Sequence, residues 1–208
     1  GANPVPEGWP TTGEATTEMV MFSAPINMGQ SMNTEGHEGA IQFSADGTKF
    51  YIYRKSNIWV SEMKKKQTQY ITKNWKKAKR QKQIKGVLLP KTYEPSVSIS
   101  ADGNTIYFSS ERQGGLGGLD LYKSERGGDG KWGVPMNLGE TVNTALDEDA
   151  PFIAPDGKTL YFSSKGHGNM GDYDIFVSEF TGDSWTKPLN LGYPVNSASD
   201  DIFYTVSS

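Results

Sequence analysis

The chain has no cysteine and only two histidines among its 208 residues. Without thiols there is no disulfide and no thiolate metal site, although the compartment stays open on that ground alone. Nitrogen-ligated zinc usually draws on several histidines, and His37 and His167 lie far apart, so each reads as a surface or loop residue. No stretch approaches 18 apolar residues, so no membrane-spanning helix is expected. The first residues show no basic segment followed by an apolar one, so no leader is expected within this chain. There is no Gly-x-Ser-x-Gly elbow and no cysteine nucleophile, and hence no signature of nucleophilic catalysis. Acids are missing from one place in particular. Residues 64–85 hold ten of the 21 Lys and Arg and no Asp or Glu, leaving 24 acids against 11 bases in the remainder. The net charge of -3 therefore conceals a basic segment on an acidic body.

What is abundant is turn residues and aromatics. The 24 glycines and 11 prolines imply many turns, and 12% aromatic residues imply strands with large side chains. One pattern recurs: Phe22-Ser23-Ala24-Pro25-Ile26-Asn27-Met28-Gly29, Trp132-Gly133-Val134-Pro135-Met136-Asn137-Leu138-Gly139 and Trp185-Thr186-Lys187-Pro188-Leu189-Asn190-Leu191-Gly192, with a degenerate copy from Trp75. The anchors at 22, 75, 132 and 185 are 53, 57 and 53 residues apart, which is a structural repeat. Asp46-Gly47, Asp102-Gly103 and Asp156-Gly157 keep the same period, each eight residues after an acid, namely Glu38, Glu94 and Glu148. Asp201 opens a fourth copy.

In the third repeat, 150–154 reads as a first strand and Asp156-Gly157 as a tight turn in which Gly157 takes a positive φ without a Cβ clash. Residues 159–164 supply a second strand, 174–179 a third, and 184–188 a fourth that Pro188 marks as an edge. The second repeat spells the same order over 96–100, 105–110, 120–124 and 131–135. The first gives 40–44, 49–53 and 57–61 and then departs through the lysine-rich segment.

Four short antiparallel strands repeated at this interval form a radial blade, because one such sheet has two faces to cover and too little apolar area to be stable alone. The expected fold is thus all-β, a β-propeller of repeated four-stranded antiparallel blades occupying 18–208, with a basic insertion at 64–85 and an N-terminal extension at 1–17. Three complete repeats are flanked by partial ones, a strand at 19–25 and another at 201–207, which fit either a four-bladed ring or a fragment of a larger propeller. A β-sandwich fits poorly, since it has no need of the same turn and edge tetrad at a constant interval.

The run Glu148-Asp149-Ala150-Pro151-Phe152-Ile153-Ala154-Pro155-Asp156-Gly157-Lys158-Thr159-Leu160-Tyr161-Phe162-Ser163-Ser164 resembles the WD40-like PD40 repeats of TolB-like β-propellers. With Gly171-Asp172-Tyr173-Asp174-Ile175-Phe176 and the segment from Trp185 to Gly192, it is similar to propellers of Bacteroidetes outer-membrane-associated proteins of the OmpA family. Such proteins join tetratricopeptide repeats, this propeller and a peptidoglycan-binding domain, and one subgroup serves type IX secretion and gliding. The resemblance implies a periplasmic, outer-membrane-associated, non-enzymatic module whose partners are other cell-envelope proteins, with peptidoglycan association through a domain outside this chain. It brings no catalytic residues and no cofactor. The first repeat departs from the pattern, since Asn57 stands where Asp120 and Asp174 recur and no glycine-rich loop precedes it.

The Asp-Gly pairs read as turn residues, the carboxylate accepting a turn N–H. Asp120 and Asp174 read as hydrogen-bond acceptors between hairpins, since the loops before them lack the dense oxygen alternation of a calcium site. Trp132 and Trp185 read as blade anchors. The glycine runs 114–118 and 127–130 precede no helix, so phosphate cradling is not expected. Glu148-Asp149 and Asp200-Asp201 are adjacent, so in extended backbone they point to opposite faces and form no glycosidase pair. Lys64, Lys65, Lys66, Trp75, Lys76, Lys77, Lys79 and Arg80 are the candidate contacts. Cations interleaved with Tyr70, Ile71, Trp75 and Ile84 suit an acidic protein, an anionic surface or nucleic acid, or simply a solvated hairpin. The expected function is a non-catalytic protein-interaction scaffold in a bacterial cell-envelope assembly, with no nucleic-acid partner. A carbohydrate-binding or glycan-hydrolysing propeller is the alternative, and it needs aromatics and carboxylates converging from several blades.

Overall fold

The computed structural model describes residues 39–44, 46–54, 57–64, 75–80, 87–89 and 91–206, whose regular structure is entirely strand and turn. Blade 1 consists of β1 (Gly39–Phe43), β2 (Lys49–Tyr53), β3 (Ile58–Glu62) and β4 (Lys79–Arg80). Blade 2 consists of β5 (Val97–Ile99), β6 (Thr105–Ser110), β7 (Asp120–Glu125) and β8 (Met136–Asn137). Blade 3 repeats the order with β9 (Glu148–Ile153), β10 (Thr159–Ser164), β11 (Asp174–Glu179) and β12 (Leu189–Asn190). Each is a four-stranded antiparallel meander paired in chain order. The first strands β1, β5 and β9 pack beside one another, so the blades radiate from a shared inner seam.

Both faces of the middle blade are covered, which is what separates a propeller from a two-sheet sandwich. Along β6, Ile106 and Phe108 enter a cluster with Tyr53 and Ile58 of blade 1. The intervening Tyr107 points the other way and joins Leu121 against Ile153, Leu160, Phe162 and Phe176 of blade 3. Ile106, Phe108, Leu121 and Leu160 are completely buried. Full burial of one such side chain contributes about 1.5–3 kcal/mol, so each interface holds a core of its own. Alternation that would leave a lone sheet half wet instead drives stacking on both sides.

The inner seam is polar and hydrogen-bonded across blades. Ser98 Oγ of β5 accepts the Ile153 N–H of β9 at 3.1 Å, and Ser109 donates to Asp149 at 2.7 Å. Ser96 donates to the same Asp149 oxygen and accepts the Ala150 N–H at 3.0 Å. Ala150 sits in the left-handed region at φ 49°, where β9 slips register against β10.

The fourth strands fall later than the sequence places them. Trp132 and Trp185 make single bridges to Arg126 and Phe180, the ladder breaks at the proline, which has no N–H, and pairing resumes at Met136 and Leu189. Blade 1 is more regular than its sequence implies. Trp75 bridges Met63 and β4 pairs with β3 at the same offset, so 75–80 belong to the blade rather than to a projecting flap. The strand expected at 201–207 is not formed over 201–206, which have no ladder partner among the described residues. The strand expected at 19–25 and the extension at 1–17 lie outside the described residues.

Candidate functional site

The repeated acids are fastened to the chain itself. Asp46, Asp102 and Asp156 accept the N–H groups of Thr48, Asn104 and Lys158 at 3.0, 3.0 and 2.8 Å. Gly47, Gly103 and Gly157 follow at φ 64°, 74° and 71°, a region costly for other residues. A bond from the Ser44 hydroxyl, helped by the backbone and hydroxyl of Thr48, holds the Asp46 carboxyl at about 2. At Asp156 burial pulls upward, but bonds from Thr159 and Lys158 outweigh it and the carboxyl lies below its ordinary value.

Asp120 and Asp174 are fully buried and have identical tasks. Asp120 accepts the N–H groups of Leu116 and Gly117 and the Asn137 amide at 2.6, 2.9 and 2.7 Å. Asp174 does so with Met170, Gly171 and Asn190 at 2.6, 3.2 and 2.8 Å. Each carboxylate thus curls a glycine-rich loop onto the third strand and ties it to the fourth. In blade 1 both partners differ together, Asn57 for the acid and Arg80 for the amide, and a tight Arg54 to Asn57 hairpin replaces the loop.

Two residues that the sequence reading passed over complete this lock. Asn143 accepts the Leu121 N–H at 2.7 Å, donates to Leu121 O at 3.0 Å and donates to Asn137 at 2.8 Å. Asn196 makes the same three bonds to Ile175 and Asn190. Val142-Asn143 and Val195-Asn196 recur 53 residues apart, a signal the period could have exposed.

The next acids clamp successive blades. Glu148 accepts the Ser164 hydroxyl at 2.7 Å and the Thr144 N–H and hydroxyl at 2.8 and 2.7 Å. Burial pushes its carboxyl above the ordinary value against these bonds. Glu94 accepts Ser110 at 2.9 Å, the Leu89 N–H at 2.7 Å and Arg112 at 2.6 Å. Asp147 and Asp200 receive the Leu119 and Tyr173 N–H groups at 3.0 and 3.2 Å, and Asp201 takes the Ser197 N–H at 2.6 Å. Glu148 and Asp149 point to opposite faces, toward blade 3's own strands and toward blade 2. His167 is a packing residue, its Nε2 2.8 Å from Val142 O and its ring beside Phe162 and Phe176. His37 lies outside the described residues. Among the described residues no three His, Cys, Asp or Glu side chains converge as a metal group.

The exposed charge lies on the outer edge of blade 1. Lys64, Lys76, Lys77, Lys79 and Arg80 are all exposed there. Lys79 and Arg80 form β4, opposite Val60 and Trp59. Lys76 pairs with Glu62 at 2.9 Å and, with Lys77 and Lys79, surrounds a recess of about 120 Å³. Trp75, expected among the contacts, is instead fully buried against Phe50 and Phe43 at ring distances of 5.7 and 5.9 Å. Its indole fills the blade face because it holds the anchor position of Trp132 and Trp185, so it is unavailable to a partner. Lys65 and Lys66 lie outside the described residues. The blade 2 and blade 3 edges carry exposed apolar groups instead, such as Val134, Met136 and Leu189.

By its blades the chain is a β-propeller arc with a cationic edge. No family profile and no curated protein matches it. Among solved structures it is similar to TolB from Acinetobacter baumannii, at 14% identity and TM-score 0.45 over 80% of this chain and 35% of that one. It is also similar to a TolB-type protein from Agrobacterium tumefaciens (15%, TM-score 0.39, 74% and 62%) and to an ancestral GH74 enzyme (9%, TM-score 0.42, 76% and 20%). The chain spans less than two thirds of the length of each of these. At such scores the fold rests on the strand order and packing described above.

Proposed function

We propose that this propeller is a non-catalytic protein-interaction scaffold in a bacterial cell-envelope assembly, in the periplasm and attached to the outer membrane. A place in type IX secretion or gliding machinery follows the same resemblance, with other envelope proteins as partners and peptidoglycan reached through a domain outside this chain. The observation that carries the reading is the row of exposed Lys76, Lys77, Lys79 and Arg80 on an edge of an otherwise acidic chain. Rigid blades hold such a row without conformational change, and its charge steers an acidic partner protein. The non-catalytic part is supported by the repeated carboxylates, since those of Asp120, Asp174, Glu94 and Glu148 are buried and occupied by bonds from their own chain.

Lysines on an edge strand also block edge-to-edge pairing, so the experiment must separate the two roles. Replacing Lys76, Lys77, Lys79 and Arg80 by Ser is expected to abolish salt-sensitive capture of an acidic protein from periplasmic extract while leaving the protein monomeric. Capture equal to the wild type at low and moderate salt refutes the assigned surface; self-association without loss of capture leaves edge protection as its role.

A further inference from the structure

The two blade interfaces are filled differently. Between blades 2 and 3, Tyr107 meets Trp185 edge-on at 6.2 Å, Phe180 lies 5.2 Å from Trp185, and Lys123 lies over the Phe180 ring at 5.3 Å. Tyr51, Trp132 and Arg126 hold the corresponding positions between blades 1 and 2, with Lys49 where blade 2 has Thr105. Each of Arg126 and Phe180 bridges its blade's tryptophan, so they are true equivalents. A bulky ring has thus become a guanidinium, and a cleft of about 190 Å³ opens.

Its floor is Tyr51, Val60, Ile99 and the half-buried Trp132, and its rim carries Lys49, Arg126 and Glu62. Glu62 is held by Lys76 at 2.9 Å, and Asp46 and Asp102 nearby are occupied in their own turns. Arg126 Nε donates to Gly130 O at 2.8 Å, which anchors the side chain at the rim. Gly103 makes room on the other side, since a Cβ there would lie 2.8 Å from the Tyr51 hydroxyl. Burial pushes the Tyr51 phenol up, so it remains a donor at neutral pH.

We infer that this cleft is a binding site for a single sugar unit bearing a carboxylate, a uronic acid or its glycosidic residue. An indole and a phenol supply the apolar platform that a pyranose face covers. Glu62 accepts hydroxyl protons, and Lys49 with Arg126 takes the carboxylate, Arg126 through the planar fork that suits it. The volume falls below the roughly 300–1,000 Å³ of drug-sized sites and fits one ring. The site lies off the inner seam, uses none of the clamped acids and performs no reaction.

The test is titration of the whole 208-residue chain with D-glucuronic acid, read from the Trp132 indole N–H by NMR, beside D-glucose and acetate. A ligand of this size is expected to saturate with a Kd on the order of 1 mM. The double variant Lys49→Thr with Arg126→Phe, which copies the blade 2 to blade 3 interface, is expected to weaken binding at least about tenfold with the thermal midpoint held. Arg126→Gln gives the same reading if the double variant does not fold. No saturation by glucuronic acid overturns the site, and undiminished affinity in the variants overturns its location. Equal binding of glucose overturns the carboxylate contact, and equal binding of acetate overturns the sugar.

Discussion

Removing the Asp120 carboxylate tests whether these buried acids are there for structure. In Asp120→Ala the Leu116 and Gly117 N–H groups and the Asn137 amide lose an acceptor at 2.6, 2.9 and 2.7 Å. A hydrogen bond to a charged group contributes about 1.5–3 kcal/mol, so three set an upper bound near 9. The donors belong to a partly exposed loop and to an edge strand, where water replaces much of the loss, so the net cost is about 3 kcal/mol. For a domain of this length each kcal/mol moves the midpoint by about 2–4 °C, and the expected drop is roughly 6–12 °C. Thermal melts with urea titrations at unchanged m-value measure it, and Asp174→Ala is expected to match. Asp129→Ala serves as control, because that carboxylate, 59% exposed, only caps a surface turn and should stay within about 0.5 kcal/mol. If Asp120→Ala costs no more than the control, the acid is not a structural tie and its burial needs a functional explanation.

Two further outcomes follow from the same geometry. Trp75→Ala should cost about 3–5 kcal/mol in urea unfolding, as for a fully buried indole, whereas Lys77→Ala beside it should be near neutral; parity would return Trp75 to the surface. Asp46, Asp102 and Asp156 lie below their ordinary values, so they bind protons less tightly folded than unfolded, and their stability, present above about pH 4, is lost as pH falls toward about 2. Glu148 has the opposite sign: its raised carboxyl makes stability decline as pH climbs above its ordinary 4.5. Urea midpoints should therefore peak in mildly acidic solution, and a steady rise through neutrality would contradict the Glu148 assignment.

The period, the hairpin turns and the second and third strands of each blade were legible because their signals are local. Asp156-Gly157 announces a turn, and Tyr161 and Phe162 announce a strand, from neighbours a few residues away. Asn143 is different, since its partner Leu121 lies 22 residues back and an asparagine in a polar loop looks like any other. Trp75 was misread for a related reason. Ten cations dominate the segment around it, while the repeat position that buries it depends on β3, on the far side of residues 64–74. The inter-blade cleft has no sequence signature of its own. It emerges only when Arg126 and Phe180 are superposed as equivalents, after which one ring's absence explains the space.

The side chains that finish a blade come from the beginning of its successor. Asp147 and Glu148 secure the Leu119 backbone of blade 2, as Asp200 and Asp201 secure Tyr173 of blade 3. The modules overlap like roof tiles, each nailed down by the lip of its neighbour. Cutting at the boundaries that the repeats display in sequence would strip each excised unit of its fastening. Any exchange of modules has to move the breakpoint past the following acid pair, which gives the array a direction of assembly along the chain.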